Sequence, residues 1–497
     1  MAELVYIDKV DEIHLRIRTD RGILREMQDH FSFLADGYKF HPKFKAKVWD
    51  GKIRLLDART GKIYVGLLDE ILKFCEERGY EAKYDYSELA DDEMSLAEAT
   101  AFMEGLKTKV TIPDFELRDY QVETVAHCIR KRRSLFLSPT SSGKSWMIYA
   151  VIKYYLLRFK VPALIIVDST AAVAQMTQDF VEYGEDPDNI HGILGGVDKS
   201  IITPITISTW QSLLDTPKSW FDRYGTVIGD EAHHFAAKTF QSLMEKITEA
   251  PYRFGFTGTI KGSKCNTMVL EGLFGKVKQL VTTKELMDQG HVAELGIKCI
   301  VFQYPDLVKK AMKKATYQQE MDFLVSHEGR NRFIKNLAGS LEGNTLIFFN
   351  FVDKHGRVLY NAIKDAFPDK RVYFIHGGVD GEIRNDVRSE LEKYDNCIGV
   401  VSYGTFQTAI SIKNIWNMIF ASPSKSRIRN LQSIGRGLRM SKTKTKVELY
   451  DLADNLILGT WKNHTIKHFA ERISTYSEEK FKPKIYNVAL RDEVKNE

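Results

Sequence analysis

The chain has 497 residues, 43% hydrophobic and 28% charged, with a net charge of +5. That length suits roughly three domains with substantial cores, and so small a net charge does not by itself mark a nucleic-acid binder. No apolar run approaches the ~20 residues of a membrane span, Met1-Ala-Glu-Leu-Val lacks a signal layout, and cysteines 75, 128, 265, 299 and 397 form no CxxC pair, so a reducing cytoplasm is the expected location.

Residues 1–86 are predicted to form a small α+β domain. Ile13 to Arg18 alternates with period two, as a half-buried strand does. A helical stretch runs from Gly22 to Phe31. Lys52–Leu56 and Lys62–Gly66 flank Arg59-Thr60-Gly61, which is a hairpin signal. Leu67 to Arg78 is amphipathic and stops at Gly79. The order βαββα is compact enough to fold separately. His41 to Lys62 carries seven Lys/Arg against two Asp, a local +5, with Tyr38, Phe40, Phe44 and Trp49 in or beside it. Rings among lysines can stack on bases while the lysines meet phosphates; they can equally fill a core. Lys43, Lys45, Lys47, Trp49, Lys52 and Arg54 are the candidate nucleic-acid contacts.

Residues 87–105 hold Glu88, Asp91, Asp92, Glu93, Glu98 and Glu104, and are expected to be an acidic linker or connecting helix. From 106 to 290 apolar strand candidates recur at 135–137, 163–167, 205–208, 226–229 and 253–256, with helical stretches between several. The pattern restarts over 291–465, with candidates at 345–349, 371–375, 398–402, 418–421 and 447–450. Continuous apolar strands alternating with helices imply parallel sheets covered on both faces. Residues 466–497 are expected to form a terminal helix and tail. The fold class is therefore α/β, two tandem parallel-sheet domains behind a small α+β domain.

Leu135 to Ser145 reads Leu-Phe-Leu-Ser-Pro-Thr-Ser-Ser-Gly-Lys-Ser. A strand, a small-residue loop, Gly143-Lys144-Ser145 and a helix make the layout of a phosphate-binding loop. Loop N–H groups from Ser138, Pro139's neighbours Thr140, Ser141 and Ser142, and Gly143 would converge on a polyphosphate. Lys144 would reach its β- and γ-phosphates, and the Ser145 hydroxyl would ligate Mg²⁺. Ser138 stands where the pattern usually has glycine. Asp230-Glu231-Ala232-His233 follows the strand 226–229. Carboxylates at a parallel strand's carboxyl end face the ligand crevice. Asp230 is placed to hold Mg²⁺ and Glu231 to orient and deprotonate water, although Asp is also a good helix N-cap.

Together these segments resemble motifs I and II of the superfamily-two helicases, of DEAH type. Others follow in order. Leu117 to Gln121 resembles the adenine-recognising element, with Gln121 as its reader. Thr257-Gly258-Thr259 resembles motif III. Gln432 to Arg439 resembles motif VI, whose arginines, here Arg436 and Arg439, reach the γ-phosphate across the interdomain cleft. Val167–Thr170 with Gln175, Ser208–Gln211 with Thr209, Ile375–Gly377 with Arg384, and Ser402–Ser411 with Thr408 resemble further elements. Asp168 and Ala409 replace the usual Pro and Gly. Phe31 to Phe40 and Trp49 to Asp57 are similar to the N-terminal domain of the UvsW helicases of large tailed phages, and the similarity runs from about residue 12 to 480.

The resemblance implies two RecA-like motor domains and an ATP-dependent DNA helicase using ATP and Mg²⁺. It implies branched DNA substrates (forks, D-loops, R-loops with their RNA–DNA hybrids, Holliday junctions) in recombination, repair and replication. It also implies recombination and single-strand-binding proteins as partners, no membrane, and the host cytoplasm if the chain is a phage protein. Three alternatives stay open: a duplex translocase that separates no strands, an RNA helicase, and a nucleic-acid-binding module with a decayed ATPase.

Overall fold

The computed structural model describes residues 3–35, 37–85, 93–260, 264–409, 412–423, 426–440 and 444–490. The chain divides into two compact units, Met1–Ser138 with Gly143–Val281, and Pro139–Ser142 with Thr282–Glu497.

The N-terminal region contains β1 (Leu4–Lys9), β2 (His14–Arg18), α1 (Arg21–His30), β3 (Ser32–Leu34), α2 (Pro42–Lys45), β4 (Lys52–Arg54), β5 (Lys62–Tyr64), α3 (Leu68–Arg78) and β6 (Glu81–Tyr84). The side chain of Asp20 caps α1 by accepting from Gly22 N at 2.6 Å, and Gly79 ends α3 in the left-handed region. One sheet has the order β5-β2-β1-β6, and β3 pairs with β4 alone. The expected hairpin is therefore corrected. β4 and β5 belong to different sheets, joined only by a single bridge between Asp57 and Lys62. Asp57 folds the connection on itself, accepting from Arg59 N at 3.0 Å and Gly61 N at 2.7 Å, so the two segments diverge to partners elsewhere.

The expected separately folding domain shares its core with the sheet that follows. Val5, Ile63 and Tyr64 lie in one apolar cluster with Leu270 and Phe274. Polar bonds fasten the same seam. Glu12 Oε2 accepts from Arg133 Nη2 at 2.5 Å, Glu12 N donates to Thr248 O at 2.9 Å, and Tyr64 OH donates to Glu245 at 2.7 Å.

That sheet comprises β7 (Arg133–Leu137), β8 (Ala163–Val167), β9 (Ile190–Ile193), β10 (Ile205–Thr209), β11 (Thr226–Asp230), β12 (Tyr252–Thr257) and β13 (Val277–Gln279), ordered β13-β7-β12-β11-β8-β10-β9. Every pairing is parallel. Alternate residues feed two cores: Leu164 and Ile166 join the cluster reaching the N-terminal region, whereas Ile165 and Val167 join the opposite one. The second core is covered by α4 (Leu96–Lys107), α5 (Asp119–Lys131), α6 (Lys144–Phe159) and α7 (Thr170–Glu182). α4 occupies much of the acidic segment, yet Ala99, Met103 and Leu106 are buried. Glu88, Asp91 and Asp92 lie outside the described residues.

The second unit's sheet comprises β14 (Glu294–Gln303), β15 (Thr345–Phe349), β16 (Val372–Ile375), β17 (Ile398–Ser402), β18 (Asn417–Phe420), β19 (Lys446–Asn455) and β20 (Lys484–Ala489). Its order is β16-β17-β15-β18-β19-β14-β20, again all parallel. The expected tail is thus partly a strand. Helix His464–Glu478 packs back through Arg472 on Asp451 at 2.8 Å, and β20 then joins β14. Among the described residues no helix is long and apolar enough to cross a membrane.

A buried ion pair ties this sheet to its helices. Arg330, fully buried, donates to Asp454 from Nε at 2.9 Å and Nη2 at 3.2 Å, and to Ala421 O at 2.8 Å; Tyr304 OH donates to the same carboxylate at 2.8 Å. Removing one partner strands the other charge in a dry interior. Asp454→Ala should cost about 3–5 kcal/mol of stability, measured by urea unfolding; a loss below ~1 kcal/mol would mean the pair is solvated.

Candidate nucleotide site and nucleic-acid surface

Strand register assembles the site. β7 lies beside β12 with Leu137 opposite Thr257, and β12 lies beside β11 with Phe256 opposite Asp230. Three carboxyl ends therefore finish at one edge, where ligands of open α/β sheets bind. From β7 the chain runs through residues 138–142 into α6, whose N-cap is Gly143 at φ 80. The first N–H groups of α6 are intrahelical orphans and favour an anion. The φ of Gly143 calls for glycine, and a Cβ there would lie 2.4 Å from Gln121 Nε2 and displace that amide. Gln121 is buried in the first turn of α5, and its Oε1 accepts from Arg118 N at 3.2 Å. The residue expected to read adenine thus lies against the phosphate loop.

Ser138 departs from the glycine of the usual pattern without penalty. Its backbone is not left-handed, its side chain is buried, and its N–H donates to Thr257 O at 2.8 Å. The left-handed position in this loop is Ser141, at φ 69. Ser142 closes the turn, its hydroxyl donating to Pro139 O at 2.8 Å.

The acids come from the end of β11. Glu231 sits at φ 48, ψ 48, a conformation a long side chain adopts at some cost. Its Oε1 lies 3.4 Å from Lys144 Nζ and its Oε2 lies 3.3 Å from His233 Nδ1. His233 Nδ1 also meets Thr257 Oγ1 at 2.9 Å, and Thr257 donates to Thr259 O at 3.0 Å. The chain Lys144–Glu231–His233–Thr257 therefore links the residues of three predicted motifs. Burial would raise the Glu231 carboxyl, but Lys144 and His233 outweigh it and hold it well below the usual carboxylate range. Asp230 goes the other way. Burial raises it, Lys144 only partly opposes, and the neighbouring Glu231 charge adds to the rise.

Asp230 Oδ1 is buried without a hydrogen-bond donor among the described residues. An orphaned carboxylate oxygen beside a phosphate loop fits a divalent cation. No group of three His, Cys, Asp or Glu forms a metal cage among the described residues, and Mg²⁺ in phosphate sites needs only one or two protein oxygens, with substrate phosphates and water completing the shell. The Ser145 hydroxyl lies 2.9 Å from the Tyr183 hydroxyl. Tyr183, at the end of α7, carries no local sequence signal; tertiary packing alone brings it to the site.

In the second unit, helix Arg427–Gly437 carries Gln432 and half-buried Arg436, with half-buried Arg439 two residues beyond it. Lys444, buried, donates from Nζ to Gly437 O at 2.8 Å and so fastens the end of this helix.

The candidate nucleic-acid contacts divide. Lys43, Lys45 and Lys47 are exposed and Lys52 is partly so. Arg54 forms a bidentate pair with Asp50, at 2.5 and 3.2 Å. Trp49 is not a free stacking ring: it is partly buried, its indole N–H donates to Lys52 O at 2.8 Å, and His41 packs against its face edge-on. Thr209 is only 4% exposed and caps the short helix Trp210–Leu213 through Ser212, so the structure does not bring its hydroxyl to the surface. The Thr408 side chain lies outside the described residues.

Residues 6–85 match the family model described as DNA helicase UvsW, N-terminal, and residues 114–262 match Type III restriction enzyme, res subunit. Over 489 residues the chain is 35% identical to the ATP-dependent DNA helicase uvsW of Enterobacteria phage T4, covering 95% of this chain and 97% of the relative. The chain belongs to the UvsW helicase family. The crystal structure of T4 UvsW matches with TM-score 0.53 and 32% identity, over 99% of this chain and 100% of that one. Beyond the UvsW helicases, Mss116p bound to ssRNA and AMP-PNP matches over 81% of each chain with TM-score 0.54, and at 14% identity shares the fold alone. The two seven-stranded parallel sheets are those of tandem RecA-like domains, with the small α+β region ahead of the first.

As pH falls, Asp230 gains a proton and its carboxylate is lost before an ordinary aspartate would titrate. The acid limb of kcat/KM for ATP should therefore centre above the usual aspartate value of about 4, while Glu231 stays ionised through it. A limb centred at or below ~4 would contradict the buried placement of Asp230.

Proposed function

We propose that this UvsW-family helicase hydrolyses ATP at the edge formed by β7, β12 and β11, and spends that energy remodelling branched DNA: forks, D-loops, R-loops and Holliday junctions. The observation that carries the reading is the Lys144–Glu231–His233–Thr257 chain beside the glycine-backed phosphate loop. Lys144 is positioned to pair with the β- and γ-phosphates once nucleotide displaces Glu231 from its ammonium. Glu231, held ionised, accepts a proton from the attacking water. Ser145 and Asp230 would hold Mg²⁺, which when bound neutralises charge on the transferring phosphoryl group. His233, touching both Glu231 and Thr257, ties the acid to the end of β12.

Lys43, Lys45, Lys47 and Lys52 supply phosphate contacts. No sequence-reading element stands out in the chain, so recognition rests on DNA shape and backbone. The similarity to the T4 relative supports a cytoplasmic site of action, in the host cell if the chain is a phage protein.

ATPase rates with branched DNA, plain duplex and RNA cofactors test the reading. Stimulation by forked DNA above plain duplex is expected; equal stimulation by unbranched duplex without strand displacement would favour a translocase. Lys144→Ala should abolish ATP hydrolysis while DNA binding persists, and residual turnover near wild type would move the site elsewhere. Replacing Lys45, Lys47 and Lys52 together by Ala should lower the slope of log K against log salt by about 2–3. An unchanged slope removes the N-terminal region from the DNA path.

A further inference from the structure

Tyr183 follows the last residue of α7, and its ring is enclosed. Phe115, Trp146, Tyr149 and Phe180 surround it, with ring centroids 6.0, 5.0, 5.7 and 6.5 Å away, and only 6% of the residue is exposed. A phenylalanine would serve that packing. The tyrosine adds one atom, a hydroxyl oxygen, and it lies 2.9 Å from the Ser145 hydroxyl. Among the described residues neither hydroxyl has another hydrogen-bond partner. A phenol in so apolar a cage needs a partner, and the fold gives it the serine of the phosphate loop.

The segment that carries Tyr183 is pinned from three sides. Thr111 N donates to Glu182 O at 2.8 Å. Glu185, itself buried, pairs with Lys153 of α6 at 2.8 Å and accepts from Asn189 Nδ2 at 2.9 Å. Gly184, at φ 87, runs so close to Lys109 that a Cβ there would lie 2.5 Å from the Lys109 carbonyl oxygen. The phenol oxygen is therefore a fixed point, set by the seating of α7 against α6. Ser145 is the adjustable member of the pair. A serine side chain turns among three staggered wells, and near a helix terminus nearby backbone groups compete for its hydroxyl. The Tyr183 hydroxyl selects one of those wells.

We propose that Tyr183 is a positioning residue for the metal side of the nucleotide site: its hydroxyl accepts the Ser145 proton and so turns the Ser145 lone pairs toward Mg²⁺. The proposal rests on the ATP-site reading above and deepens it. A serine hydroxyl has one proton and two lone pairs. When a lone pair faces a cation the proton must point elsewhere, and the cation's charge makes it a stronger donor. Tyr183 stands where that proton can be received. Groups that bond to a metal's ligand rather than to the metal govern about 10–100-fold of metal affinity.

The test uses the full-length chain with ADP held below the protein concentration. Mn²⁺ stands in for Mg²⁺ as the probe, and its bound fraction is followed by electron paramagnetic resonance. Wild type, Tyr183→Phe, Ser145→Ala and the double variant are compared. Tyr183→Phe should weaken Mn²⁺ binding about tenfold. Ser145→Ala should weaken it at least as much, and Tyr183→Phe added to Ser145→Ala should change nothing further, because the phenol acts through the serine. ADP affinity in EDTA, with no divalent metal, should stay at the wild-type value in Tyr183→Phe, which separates an effect on the metal from damage to the pocket. Wild-type Mn²⁺ binding by Tyr183→Phe beside weakened binding by Ser145→Ala overturns the positioning role and leaves the ATP-site reading intact. An equal loss from Tyr183→Phe with and without the serine hydroxyl also overturns it, since the ring then acts by packing. Wild-type Mn²⁺ binding by Ser145→Ala removes the serine from the metal site and overturns both.

Discussion

Lys144, the first residue of α6, and Glu231, just past β11, lie 3.4 Å apart. The nucleotide site depends on this pairing. The Lys144 ammonium helps hold the Glu231 carboxyl below the usual carboxylate range, so the acid stays available as a base. Without that partner, burial would push the Glu231 carboxyl toward protonation. The parallel sheet makes the pairing possible. Continuous hydrogen bonding from β7 through β12 to β11 brings the loop before α6 and the turn after β11 to one edge.

The neighbouring groups refine that pair. His233 Nδ1 meets Thr257 Oγ1 at 2.9 Å and lies 3.3 Å from Glu231 Oε2, so a ring fastened to the end of β12 stands beside the acid. Asp230, one residue away, experiences the opposite balance, burial outweighing Lys144. Two adjacent carboxylates thus acquire different chemistry from their surroundings, which is the usual route to separate roles for identical groups.

The N-terminal region follows the same logic on a larger scale. A small α+β unit of this size buries a modest core. By sharing that core with the first motor sheet, and by seating Glu12 on Arg133, it gains rigidity that a linker would not supply. Between β3 and β4 the Trp49 ring, bonded through its indole to Lys52 O and packed with His41, serves local structure, while Phe40 is exposed.

Much of this was legible in the chain itself. The apolar runs at 163–167 and 345–349 are strands at those positions because continuous burial on both faces leaves no polar alternation to disguise them. The phosphate loop, Asp230-Glu231 and the motif around Arg436 are local patterns, and local patterns survive in sequence. What escaped were pairings between distant segments. β4 and β5 were expected to pair across Arg59-Thr60-Gly61, yet the partner of β4 is β3, because a turn signal specifies a reversal and not which edge receives the strand. β20 looked like a tail, having no buried face to give it a period. Tyr183 at Ser145, Thr209 as a cap and the exposure of Phe40 were decided only when packing chose which side chains to cover. Sequence sets the chemistry available at each position; contact with remote residues determines which of that chemistry faces solvent, and nothing local in a chain encodes that choice.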